Sequence, residues 1–195
     1  MKDLFINSSF KFISNHKSFD KYNEVKIKYG LEVMYHFFTK LSVILLISYL
    51  LHTIKYIIPL FISFGVLRTT GYGIHAKSNI SCWTSSLLFY VIFGLYIKYI
   101  EFNLFIKICI LVLSEISIIL WAPSDTKGRP LVNKEKRKHL KILCIITGLI
   151  EILLSFNNDL YFKNVFVISM MFESILINPI VYKITKTPRN NYLNY

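Results

Sequence analysis

Residues 29–67 read YGLEVMYHFFTKLSVILLISYLLHTIKYIIPLFISFGVL, and how often this stretch crosses a membrane decides the fold. A helix rises 1.5 Å per residue and a hydrocarbon core is about 30 Å thick, so one crossing takes roughly 20 apolar residues. The stretch is long enough for a crossing and a return. It is expected to form a helix from 32 to 51, a polar break at HTIK (52–55), and a second helix up to Arg68. Pro59 then falls in the first turn of that second helix, where a missing N–H does little harm. A single kinked helix through 41–67 fits the periodicity equally well, so the choice has to come from charge.

The chain of 195 residues is 54% hydrophobic with a net charge of +12, and its mean hydropathy is +0.48. Several stretches of about 17 to 23 residues carry almost no charge, which is the pattern of a polytopic membrane protein. Seven of the 23 Lys and Arg fall in residues 1–40, seven in 127–141, and three in the tail at Lys183, Lys186 and Arg189. If the N-terminus, residues 68–82, the 122–139 loop with the adjoining Lys141, and the tail all face the cytoplasm, they hold nineteen of the 23 basic residues. That is the positive-inside distribution, and it requires an even number of crossings between 29 and 67. The hairpin, or a re-entrant form of it, is therefore preferred. Basicity needs no nucleic-acid partner, and no reader motif accompanies it.

Residues 84–100 and 104–121 read as a helical hairpin around Glu101 and Asn103. Pro, Gly and charge make 122–139 a basic loop, and 140–156 with 160–182 form the last hairpin, turning at 157–159. Residues 4–13 (LFINSSFKFI) have the composition of a short amphipathic helix lying on the membrane. The expected fold is all-α: a polytopic transmembrane helical bundle of five or six membrane segments, forming one integral-membrane domain over 1–195, with 1–28 cytoplasmic or interfacial. The first thirty residues contain charges every few positions and no continuous apolar run, so no cleavable signal peptide is expected. Cys82, Cys109 and Cys144 form no even-numbered disulfide framework.

Ionisable groups inside membrane segments are functional candidates. Glu115, Glu151 and Glu173 share no local motif and read as interhelix hydrogen-bonding groups. Glu32, His36 and Lys40 share a helical face at i, i+4, i+8, which reads as a solvated face before the membrane or as one lining a site.

The polar segment LRTTGYGIHAKSNISCWTSS (67–86) sits between two of the most apolar runs in the chain. In one straight helix His75 and Cys82 would lie roughly 10 Å apart along the axis, too far for an acid–base pair. A bend closes the distance. Gly71 and Gly73 permit one, because glycine accepts backbone angles other residues avoid, and Ser78, Asn79 or Ser81 is able to cap the helix that follows. Cys82 then lies in a first helical turn, where unpaired N–H groups favour thiolate and offer a site for an oxyanion. His75 is placed as the base that takes the thiol proton and returns it to a leaving amine. Arg68 is suited to bind a carboxylate, either of a substrate or of the fold. The plainer reading of a lone His and Cys is coincidence, with Cys as a packing residue, and a metal site lacks at least two ligands.

The pattern R-x-x-x-x-G-x-H-A-x-x-x-x-x-C, from Arg68 to Cys82, resembles the signature of the accessory gene regulator B (AgrB) family. WAPSDTKGRPL (121–131) is similar to the family's A-P-x-x-T-x-x-x-P loop, which a basic cluster follows. FESILINPI (172–180) and KYGLEVMYHF (28–37) resemble its last helix and the segment before its first crossing. The resemblance spans about residues 25 to 182.

It implies a multi-pass cell-membrane cysteine endopeptidase that matures an AgrD-like pro-peptide into a cyclic quorum-sensing signal, without a cofactor. Cys82 is implied as nucleophile, His75 as base, and Arg68 as a site-supporting residue alongside Gly71, Gly73, Ser78 and Asn79. The implied site lies near the cytoplasmic face. An acidic pro-peptide tail would favour the basic surface of Lys127, Arg129, Lys134, Lys136, Arg137 and Lys138. Glu32 stands where the family usually has Gln, and is carried as a substrate-binding candidate. Gly71-Tyr72-Gly73 stands where the family often has adjacent glycines. A homodimer is in keeping with the resemblance. The group that orients His75 is open among Asn79, Glu32 and Asp125. A non-catalytic protein that binds or exports the peptide is the alternative from another class, and a sensor or small transporter built on Glu115, Glu151 and Glu173 is a third.

Overall fold

The computed structural model describes residues 2–15, 19–76, 78–99, 101–127, 130–158 and 161–194. These form helices α1 (Lys2–Ser14), α2 (Lys21–Leu50), α3 (Ile54–Gly71), α4 (Asn79–Tyr99), α5 (Leu104–Trp121), α6 (Lys134–Ser155), α7 (Asn164–Ile177) and α8 (Pro179–Ile184), with a final 3-10 turn at Asn191–Asn194. Three of them, α2, α4 and α5, are long and apolar enough to cross a membrane, and α7 is a shorter apolar helix. The protein is an all-α membrane bundle.

The chain divides into two compact units, Met1–Ile47 and Ser48–Tyr195. In the first, α1 is the expected N-terminal helix. It meets α2 through Phe5 on Tyr35, with ring centroids 5.5 Å apart, and through Lys2, whose Nζ lies 2.7 Å from Glu32 Oε1. Glu32 holds the Lys2 ammonium above its usual pKa by that bond and its charge. The helix expected from residue 32 begins at Lys21. Asp20 caps it by accepting from Asn23 N–H at 3.3 Å, and Glu24 pairs with Lys28 at 2.6 Å one turn apart.

In the second unit α3 packs against α4, α6 and α7, while α5 packs against α6 and α7. Leu67, Leu111, Ile118, Cys144, Val167, Met170 and Ile177 form the buried core between them. The expected break is present but confined to residues 51–53, because Ile54 and Lys55 already belong to α3: His52 adopts a positive φ of 54°, and Thr53 N–H bonds back to Ser48 O at 2.8 Å. The expectation for Pro59 is corrected. Because α3 starts at Ile54, Pro59 lies in its second turn, where its missing N–H forgoes the bond to the Lys55 carbonyl.

Other boundaries shift for reasons of capping. The helix α6 begins at Lys134, inside the region expected to be loop, because Asn133 accepts from Lys136 N–H at 3.0 Å. Glu135 in its first turn offsets the basic residues there. The last long segment breaks at Asn178, which precedes Pro179, is extended (ψ 129°), and caps α8 by accepting from Ile180 N–H at 2.8 Å. Part of the expected 157–159 turn lies outside the described residues. On the far side of α5, Phe105, Leu113 and Leu120 are each more than 60% exposed. Such a stripe is unfavourable in water and neutral in lipid, where the tails are as apolar as the side chains.

Candidate active site

The site is assembled where α3 ends and α4 begins. Gly71 closes α3, and Tyr72 and Gly73 take positive φ values of 64° and 82°. The expected bend is present, although Gly71 contributes to it differently from the expectation. Tyr72, not Gly71, adopts the left-handed angle, and Gly71 is needed for close approach. A Cβ there would meet Glu173 Oε1 at 2.5 Å and Cys144 Sγ at 3.2 Å.

The chain beyond the bend is clamped on both sides. Gly73 N–H donates to Ser124 O at 2.8 Å, Ser124 N–H donates to Gly71 O at 2.9 Å, and Ile74 N–H donates to Leu176 O on α7 at 3.0 Å. Arg68 Nη2 donates to the carbonyls of Gly73, at 3.3 Å, and Ile74. Its Nη1 lies 3.8 Å from Glu173 Oε2. The carboxylate paired with Arg68 is therefore one from the fold.

The first turn of α4 carries Cys82 as the spacing requires. Ser78 caps it, accepting from Ser81 N–H at 3.1 Å. Asn79, the first helical residue, is not the cap. Cys82 N–H is already bonded within the helix to Ser78 O at 2.9 Å. The unpaired N–H groups expected to offer an oxyanion site therefore do not include those of Ser81 and Cys82, which hold the turn.

His75 and Cys82 line one cavity of about 580 Å3. Arg68, Ser81, Ser85 and Ser86 add polar groups, Thr185 and Thr187 approach from beyond α8, and Phe64, Phe89 and Phe172 form an apolar wall. Phe89 stacks on Phe172 with centroids 4.1 Å apart. Sequence reasoning missed Phe172, Thr185 and Thr187, which lie a hundred residues from the motif; only the similarity of FESILINPI to a family segment marked any of them.

Glu32 belongs to the first unit, where Lys2 and, at 3.7 Å, His36 face it. Lys134, Arg137, Lys138 and Lys141 share a separate cavity of about 500 Å3 with Trp121, Arg189 and Tyr192. Arg137 lies over the Tyr192 ring at 3.1 Å. Lys127 and Lys136 are exposed, and Arg129 lies outside the described residues. Of the three acids expected inside membrane segments, Glu151 accepts from Ser63 Oγ at 2.7 Å, and Ser63 in turn is 2.7 Å from Ser169. Glu115 packs directly on Gly148.

Asp125, a candidate to orient His75, is 2% exposed, and its two oxygens accept from the N–H groups of Asn191 and Tyr192, each at 3.0 Å. The Tyr182 hydroxyl secures the same loop through the Ser124 and Asp125 carbonyls at 3.1 Å. Asp125→Ala leaves two amides without acceptors. It is expected to destabilise the protein by about 1–3 kcal/mol and to speed tryptic cleavage after Lys186 and Arg189. Unchanged cleavage kinetics would contradict this role.

The profile of the family described as Accessory gene regulator B matches residues 6–177. The chain belongs to the accessory gene regulator B family. An AgrB-like protein of Clostridium acetobutylicum is 31% identical over 94% of this chain and 88% of its own length. The accessory gene regulator protein B of Staphylococcus haemolyticus is 28% identical over 88% and 90%, and an AgrB-like protein of Listeria innocua is 28% identical over 90% and 87%. No solved structure matches. AgrB membership places the protein in accessory gene regulator quorum sensing, at the membrane.

Proposed function

We propose that the protein is a membrane-embedded cysteine endopeptidase that removes the C-terminal tail of an AgrD-like pro-peptide and promotes closure of the signal ring. The observation that carries this reading is that His75, from the clamped bend, and Cys82, from a capped first turn, line one cavity. His75 takes the Cys82 proton as general base. The sulfur attacks the carbonyl that joins signal to tail. The tail leaves as an amine after receiving the proton from His75, and the signal remains as a thioester on Cys82. A Cys thiol or Ser hydroxyl within the signal then attacks that thioester, giving a thiolactone or lactone and restoring the Cys82 thiol. Exchange of the Cys82 thioester for a signal thiolactone is nearly isoenergetic, so the ring-closing step itself needs no ATP.

The apolar wall of Phe64, Phe89 and Phe172 suits hydrophobic residues of the signal. The basic cavity at Lys134, Arg137, Lys138, Lys141 and Arg189 suits the acidic tail, with an affinity that falls as salt rises. In this reading the chain is one integral-membrane domain with an even number of crossings before Arg68, and both cavities open to the cytoplasm, where the pro-peptide is made.

The test is tail release from a co-expressed pro-peptide in isolated membranes. His75→Ala is expected to lower the rate by about 10²–10⁴-fold, the range for loss of a general base, while leaving pro-peptide binding in place. Processing at the wild-type rate would eliminate His75 as the base and favour a protein that binds or exports the peptide.

A further inference from the structure

We propose that Glu173 is a positioning residue for this reaction, holding the Arg68 guanidinium so that Arg68 fixes the backbone presenting His75; the inference rests on the peptidase reading above. Glu173 is fully buried in α7, and among the described residues neither of its oxygens has a hydrogen-bond partner. A carboxylate in an apolar interior persists when a counter-charge faces it. Arg68 Nη1, at 3.8 Å, is that charge.

The other edge of the guanidinium points at the site. Arg68 Nη2 binds the carbonyls of Gly73 and Ile74, the two residues immediately before His75. Fit as well as charge enforces the arrangement, since a Cβ on Gly73 would lie 2.5 Å from Arg68 Nη1. One turn beyond Glu173, Leu176 O accepts from Ile74 N–H at 3.0 Å. Thus α7 grips residues 73–74 directly and again through Arg68.

The neighbouring residue on α7, Phe172, stacks on Phe89 of α4, the helix that carries Cys82. Two adjacent α7 residues therefore hold the two halves of the site, Phe172 the helix of the nucleophile and Glu173 the strap of the base. Their registry sets how His75 meets Cys82. Glu115 and Glu151, buried at similar depth, make no ion pair with Arg68 among the described residues.

The experiment uses the full chain in lipid vesicles with a synthetic pro-peptide. It measures kcat and KM for tail release and, by mass spectrometry, the pH dependence of Cys82 alkylation. Glu173→Gln keeps shape and removes charge. It is expected to lower kcat about 10–100-fold, the penalty of a small misplacement of reacting groups, with KM within about 3-fold, and to move the alkylation profile toward that of His75→Ala. Glu173→Asp keeps the charge and is expected to recover most of the wild-type profile. It also serves if the Gln variant does not fold. Glu115→Gln, which removes a buried acid that makes no ion pair with Arg68 among the described residues, is expected to match wild type.

A Glu173→Gln protein with wild-type kcat and alkylation profile overturns the inference and leaves the peptidase reading intact. So does an Asp variant as impaired as the Gln variant, or an equal loss in Glu115→Gln. A wild-type protein that releases no tail overturns both.

Discussion

Cys82→Ala is expected to abolish tail release while leaving the protein folded. Removing the nucleophile of a cysteine or serine peptidase lowers kcat by about 10⁴–10⁶-fold, since the remaining groups cannot replace the covalent step. Cys82 is half-buried at a cavity wall, and its backbone helps hold the turn, with N–H donating to Ser78 O and C=O accepting from Ser86 Oγ at 2.7 Å, bonds that alanine keeps. The melting temperature in detergent is therefore expected to stay within a degree or two of wild type, about what a surface substitution produces. Cys82→Ser keeps a nucleophilic atom of much higher pKa and should lose nearly as much activity. Mass-spectrometric detection of released tail and of a thioester on the wild-type protein provides the measurement. Tail release by a folded Cys82→Ala protein would remove the covalent mechanism altogether.

Gly73→Ala is expected to be as damaging by an entirely different route. Gly73 has a φ of 82°, and an added Cβ would lie 2.8 Å from Leu176 O and 3.0 Å from Leu176 C, besides its contact with Arg68. A side chain tip can move aside; the α7 backbone cannot without losing the bond from Ile74. Left-handed strain and overpacking together come to about 2–5 kcal/mol, a large part of a typical stability. Activity is expected to vanish together with a marked fall in melting temperature, which separates this variant from Cys82→Ala. Gly65→Ala offers the contrast within the same bundle. Nothing lies within 4 Å of its Cβ position in the middle of α3, so a neutral or slightly stabilising effect is expected. Equal damage from both substitutions would show that the clamp around residue 73 is not the reason.

The elements most legible in the sequence are those governed by local chemistry. The α5 helix begins and ends where the apolar run 104–121 does, because Asn103 caps it and Pro123 follows it closely. The break before α3 follows from His52 and Thr53, polar residues between two apolar runs. Basic residues concealed more than they revealed. Lys134 to Lys138 read as loop by charge, yet lysine and arginine are good helix formers, and Asn133 starts α6 ahead of them. Lys21 to Leu31 were hidden in the same way at the front of α2.

For the site, the spacing called for a bend at Gly71 and Gly73 and a helix start just before Cys82 if His75 and Cys82 are to act together. Both follow from the 1.5 Å rise per residue and the glycines, whatever the rest of the chain does. What holds the bend could not be read locally. Ser124, Glu173 and Leu176 come from segments fifty to a hundred residues away, and no period or spacing in a single chain encodes which distant carbonyl will accept a given N–H. The same holds for Asp125, whose acidity invited a place beside His75 and whose oxygens instead bind Asn191 and Tyr192.

Hydrophobic run length and charge placement, which act along the chain, thus determined by themselves that this is a helical membrane protein with a polar bend carrying His75 and Cys82. Only the tertiary structure decided that α7 closes the site. Packing is a property of surfaces brought together from remote segments, and it alone sets Phe172 on Phe89 and Glu173 on Arg68.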